Sequence, residues 1–129
     1  KIIRKWTTKL KSGIQSNDFI RKKIHNGWMP PHTTLFLKKK LIGEVGYYNE
    51  NFKISSDYDF IIRLFSNKNL KIFFLNEFTV KMKIGGISNK NLQSILIKMK
   101  EDYDIMKKNN LPPVKTIFLK NISKIMQFL

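Results

Sequence analysis

Apolar positions along this chain change period several times, and each change marks a short element. Lys1-Ile2-Ile3-Arg4-Lys5-Trp6 alternates as a strand does, and a chain opening at Lys inside an element reads as a piece of something longer. Ser16-Asn17-Asp18 then caps a short helix carrying Phe19, Ile20 and Ile24, which Gly27 closes. Two prolines in Trp28-Met29-Pro30-Pro31-His32 remove backbone donors and force extended geometry, so this stretch is a rigid loop. Thr33 to Leu37 predicts a buried strand, Lys39 to Val45 a short helix ended by Gly46, and Tyr47 to Phe52 an aromatic loop.

The strongest helical signal runs from Ser56 to Asn67. Ser56 is the expected N-cap, Asp59 stands where a capping-box acid reaches back to the Ser56 amide, and Phe60, Ile61, Leu64 and Phe65 form one apolar face. Lys71 to Leu75 and Phe78 to Lys83 predict strands, and Ile84 to Asn89 a flexible loop. Asn91 to Lys108 predicts a long helix that Leu111-Pro112-Pro113 breaks. A last helix, Val114 to Leu129, carries Ile117, Phe118, Ile122, Ile125 and Met126 on one side. No internal repeat is visible.

Composition narrows the function classes. With 129 residues, 42% of them hydrophobic and ten of them Phe, the chain can bury one core and is not disordered. The absence of Cys excludes disulfides, thiolate metal sites and a thiol nucleophile. No run reaches the roughly 18 apolar residues of a membrane span. The formal charge of +16 suggests a polyanion partner, but the chain has three Arg against twenty-two Lys, no Ala, and an excess of Ile, Asn and Phe, as AT-rich codons favour. The lysines are spread along the chain apart from Arg21-Lys22-Lys23 and Lys38-Lys39-Lys40, so a solvated surface is the preferred reading.

Candidate chemistry concentrates in Ser56-Asp57-Tyr58-Asp59 with Arg63 one turn later. Acids at a helix start offset the macrodipole and Asp59–Arg63 is an i,i+4 pair, which is all that spacing alone requires. The two acids differ, however: with Asp59 turned back to the cap, Asp57 lies about 200° around the helix and faces outward. A carboxylate held ionised by the helix dipole suits a general base that takes a proton from an attacking hydroxyl.

Four motifs in order, Gly27-Trp28-Met29-Pro30-Pro31-His32-Thr33-Thr34-Leu35-Phe36, Gly46-Tyr47-Tyr48-Asn49-Glu50-Asn51-Phe52, Ser56-Asp57-Tyr58-Asp59 with Arg63, and Gly85-Gly86-Ile87-Ser88, resemble the second half of bacterial family-2 glycosyltransferases that build surface polysaccharides. The resemblance covers residues 1–90, with 91–129 as a helical tail. It implies an α/β fold, a partial GT-A (Rossmann-like) domain with a short mixed sheet, flanking helices and a helical C-terminal tail. It also implies a nucleotide-sugar donor, a UDP-sugar foremost, a glycan or lipid-linked acceptor, and Asp57 as catalytic base of an inverting displacement; the expected setting is cytoplasmic, with peripheral membrane contact through Val114 to Leu129, whose apolar side is backed by Lys115, Lys120 and Lys124.

Arg63 would orient Asp59. Trp28 would stack on a sugar and His32 would bond a hydroxyl or phosphate, although by residue type alone Trp28 reads as core and His32 as a polar cap. Gly85, Gly86 and Ser88 would let backbone amides approach the donor diphosphate. A divalent cation, Mg or Mn, belongs to an Asp-x-Asp of the first half that this sequence lacks, so no metal ligand is assigned here and the chain alone is expected to be nearly inactive. Glu101-Asp102-Tyr103-Asp104 reads as a solvated helix face. The alternative class is a basic module for nucleic acid or an anionic membrane surface; nucleic acid is disfavoured because the aromatics are not interleaved with Arg.

Overall fold

The computed structural model describes residues 3–5, 13–15, 17–75, 77, 79–83 and 91–119. Four short strands and four helices have defined limits: β1 (Ile3–Lys5), β2 (Gly13–Gln15), α1 (Asn17–His25), α2 (Lys39–Val45), α3 (Ser56–Ser66), β3 (Ile72–Phe74), β4 (Lys81–Lys83) and α4 (Leu92–Lys108). A 3-10 turn, His32–Thr34, interrupts the loop after α1, and residues 113–119 are again helical.

The centre of the fold is α3. Seven of its residues, Tyr58 to Ile62 with Leu64 and Phe65, are buried, and α1, α2 and α4 all pack on it. A helix so enclosed needs apolar residues on nearly every side, which Phe60-Ile61-Ile62 supplies in a single turn. Around it, Ile20 and Ile24 of α1, Ile105 and Met106 of α4, Leu70 and Leu111 complete the core. Arg21 crosses from α1 to donate to the carbonyls of Phe65 (3.3 Å) and Ser66 (3.0 Å), which α3's own ladder leaves open. The Thr116 hydroxyl ties the 113–119 stretch to the His25 carbonyl at 3.0 Å.

Helix ends follow from single residues. Gly27, at φ +81°, donates to Ile24 while Trp28 donates to Lys23, the two reverse bonds of a Schellman stop. Asn110, at φ 56°, ends α4 the same way, with Leu111 donating to Met106 and packing in the core beside it. Gly46 stops α2 at φ 84° and ψ 173°, a region essentially closed to residues with a Cβ.

Both strand pairings are antiparallel: β1 with β4, Ile3 opposite Lys83, and β2 with β3, Gly13 opposite Phe74. Among the described residues the parallel component of the expected mixed sheet is therefore not seen. Of the expected strands at 71–75 and 78–83, the structure has Ile72–Phe74 and Lys81–Lys83, and each pairs with the N-terminal segment. The strand β2 was not expected, because Gly13 and Gln15 are poor strand formers.

The expected buried strand at Thr33 to Leu37 is absent. Its first residues make the 3-10 turn, and beyond it the chain runs extended (Leu35 φ −87°, ψ 122°; Lys38 φ −68°, ψ 134°) with no strand beside it among the described residues. Phe36 is 82% exposed. Ser55 rather than Ser56 is the N-cap of α3. Phe118 is exposed while Ile117 packs on the core, so the last helix does not gather its apolar residues on one side as far as 119; Ile122, Ile125 and Met126 lie outside the described residues, as does the 84–89 loop.

The two glycines of α2 and its end make opposite predictions. Gly43 sits inside the helix with nothing within 4 Å of an added Cβ, so Gly43→Ala stabilises the chain by roughly 0.5–1 kcal/mol. Gly46→Ala forces the closed region and costs about 1–3 kcal/mol. Urea denaturation of the two variants should move the midpoint in opposite directions.

Candidate active site

Asp57, in the first turn of α3, is reached by the loop that follows the Gly27 stop. Pro31, at φ −60° and ψ 118°, delivers His32 at the start of the 3-10 turn, and His32 Nδ1 lies 3.2 Å from Asp57 Oδ2. The other carboxylate oxygen accepts from the Tyr58 amide at 2.8 Å. Both side chains keep access to solvent, 44% exposed for His32 and 28% for Asp57. The pair thus joins a carboxylate at a positive helix end to an imidazole that donates when Nδ1 carries a proton, and leaves them open to an incoming hydroxyl. Sequence placed both residues in the site separately; the contact between them is a product of the fold.

Asp59 behaves differently. It does not turn back to the cap; its side chain is 1% exposed and Oδ2 accepts from Arg63 Nε at 2.8 Å. Burial on that scale leaves Asp59 no surface to offer a substrate in this conformation, which corrects its expected place among substrate contacts. Arg63 also donates to the carbonyls of Val45 and Tyr47, so it ties α3 to the end of α2 and to the aromatic loop. In that loop Tyr48 stacks on Phe60 with ring centroids 4.7 Å apart, while the neighbouring Tyr47 is exposed.

Trp28 is half-buried against the core, with its ring 6.3 Å from that of Phe74 and the Lys23 ammonium 5.9 Å from its centroid. Those contacts are on α1 and β3. Gly85, Gly86 and Ser88 lie outside the described residues. A groove of about 820 Å³ includes Pro30, Pro31 and Thr34 in its walls but neither His32 nor Asp57.

The acidic run on α4 is only half a solvated face: Tyr103 and Asp104 are exposed, whereas Glu101 and Asp102 turn to the protein. Glu101 spans to the segment before α3, where its carboxylate accepts from the amides of Lys53 (2.8 Å), Ile54 (3.0 Å) and Ser55 (2.8 Å). Asp102 is buried and paired with Lys98. Glu101 is the residue that sequence reading missed, and one signal was present: it lies four residues from Ile97 and four from Ile105, an acid set within the inward face. Tyr58, the first fully buried residue of α3, has its phenol raised well above the ordinary value of 10.0, by burial first and by the Asp102 charge second.

A divalent cation is the cofactor that the sequence resemblance implies. The described residues do not fit one, because Asp57 is engaged by His32, Asp59 by Arg63, and no three candidate ligands cluster. The chemistry available here is proton transfer at a solvent-accessible carboxylate.

Curated mycobacterial glycosyltransferases resemble this chain. Proteins of Mycobacterium bovis and Mycobacterium tuberculosis named PGL/p-HBAD biosynthesis glycosyltransferase are 34% identical to it over 59 residues, 45% of this chain and 23% of theirs. The chain thus matches about a quarter of the length of these relatives. No family model matches the chain, and no solved structure matches it. Among the described residues no helix is long and apolar enough to cross a membrane.

Two predictions test these assignments. Glu101→Ala strips three amides of a charged acceptor and should cost roughly 2–3 kcal/mol, with hydrogen exchange accelerating first at the amides of Lys53, Ile54 and Ser55. The raised Tyr58 phenol favours the folded state fully below the unfolded value of about 10, and that contribution is lost as pH climbs above it. An ultraviolet titration should therefore show one of the four tyrosines ionising only as the chain unfolds in alkali.

Proposed function

We propose that this chain is the acceptor-side half of a GT-A glycosyltransferase of the family-2 kind, and that Asp57 is its catalytic base. The observation that carries the reading is the His32–Asp57 pair, a carboxylate at a helix start, partly open to solvent, whose second oxygen already engages an imidazole. Similarity to curated proteins named as glycosyltransferases supports the reaction class independently of that geometry. In the reaction an acceptor hydroxyl attacks the anomeric carbon of a nucleotide-sugar, Asp57 takes the hydroxyl proton, and the nucleoside diphosphate leaves with the bonding electrons. His32 steadies the carboxylate and can bond a second hydroxyl. Gly85, Gly86 and Ser88 complete the reading as the loop that closes on the donor diphosphate, and a UDP-sugar, a glycan or lipid-linked acceptor and a cytoplasmic setting belong to it.

The nucleotide-binding half and its cation-holding Asp-x-Asp are the partner this reading requires, so the test is made on the full-length protein that carries the segment. Transfer from radiolabelled nucleotide-sugars should fall roughly 10²–10⁴-fold in kcat for Asp57→Asn, with little change in donor KM. A variant that keeps wild-type turnover would remove Asp57 from the mechanism.

A further inference from the structure

The outward side of α4 carries an apolar stripe that nothing in the sugar-transfer site uses. Leu92, Leu96, Met99 and Tyr103 recur at helical spacing and all are exposed, Leu92 by 80% and Leu96 by 67%. At ~100° per residue the four fall within roughly 60° of one another around the helix. Lys107 and Lys100 follow within about another 40° on one flank. Both lysines are exposed, as is Lys108.

The charge along this helix is more basic at its surface than its composition suggests. Glu101 is occupied by backbone amides and Asp102 by Lys98, which leaves Asp104 as the exposed acid of α4 against Lys100, Lys107 and Lys108. The next helical stretch repeats the pattern with exposed Val114 and Phe118 beside exposed Lys115. None of these residues lines the 820 Å³ groove, so the stripe is a ridge of side chains on a helix surface rather than a concave seat for another chain. A chain of net charge +16 brings the same sign of field to that ridge.

We propose that the Leu92–Leu96–Met99–Tyr103 stripe of α4 docks this protein on an anionic lipid bilayer. The apolar side chains would enter the boundary between headgroups and acyl chains while Lys100 and Lys107 stay at headgroup level against the lipid phosphates. Charge and apolar area act together, so neither alone gives the full affinity. The docking face uses neither Asp57 nor His32, and either proposal can fail without the other.

The test is co-sedimentation of the 129-residue chain with vesicles of phosphatidylcholine alone or mixed with phosphatidylglycerol. Binding is expected on the mixed vesicles and should weaken with salt. Lys100→Gln and Lys107→Gln should each weaken it roughly fivefold. Leu96→Ser with Met99→Ser should weaken it at least about tenfold while circular dichroism and the melting transition stay unchanged. Phe36→Ser, in the groove wall, should have no effect. Equal binding to both vesicle types, an equal loss with Phe36→Ser, or a dimer in light scattering that the Leu96 and Met99 substitutions dissolve would each overturn the proposal.

Discussion

A carboxylate with 1% of its side chain exposed is costly to bury unless a cation is paired with it, and Asp59 imposes that condition on the whole fold. Arg63 meets it from one turn along α3, but a guanidinium has five donors and only one is spent on Asp59. Two of the others reach the carbonyls of Val45, left unpaired where Gly46 ends α2, and of Tyr47 in the loop beyond it. Burying one acid thereby fixes how α2, the turn at Gly46 and the Tyr47-Tyr48 loop sit on α3. An added Cβ at Gly46 would meet Arg63 Nη1 at 3.5 Å, an ordinary contact, so the constraint at this position is its backbone conformation.

With one end held by Arg63 and the other by Glu101, α3 is a fixed platform, and the contrast between its two acids follows. Asp59 points into the packed side and is neutralised by an internal cation. Asp57 projects from the first turn, where it meets a histidine delivered by a loop that two prolines stiffen. A base must be accessible to the hydroxyl it serves, and of the two acids only Asp57 is. The aromatic loop extends this platform, since Tyr48 stacks on Phe60, the residue one turn beyond Asp57.

What could be read from sequence was what neighbours in sequence decide. The limits of α2 follow from Lys39 to Val45 and the glycine behind it, and α4 from its period and its proline stop; the structure agrees with both. What failed was decided at a distance. Thr33 to Leu37 has the residues of a strand, but a strand is made by a ladder, and residues 35–38 keep the extended backbone without one. Glu101 looked like a surface acid because its three amides lie 46 to 48 residues away. In the candidate site Asp57 and His32 could each be named, whereas their pairing depends on where the Gly27 stop turns the chain.

Among the described residues two apolar surfaces are exposed, and their shapes argue for different occupants. The groove beside β3 is concave, is walled by Leu35, Leu37, Ile72 and Phe74 with Glu44 and Glu77 at hand, and lies along the extended segment whose amides and carbonyls have no ladder. Such a surface suits polypeptide, because a further strand would satisfy that backbone and fill the volume at once; on the proposed reading the nucleotide-binding half is its natural source. Beyond its first turn the α4 stripe has no unpaired backbone to offer, since its amides and carbonyls are consumed within the helix, and it is flanked by lysines rather than glutamates. A surface that presents only side chains, apolar at the crest and basic at the flank, gains little from a neighbouring strand and much from an interface that is itself apolar below and anionic above.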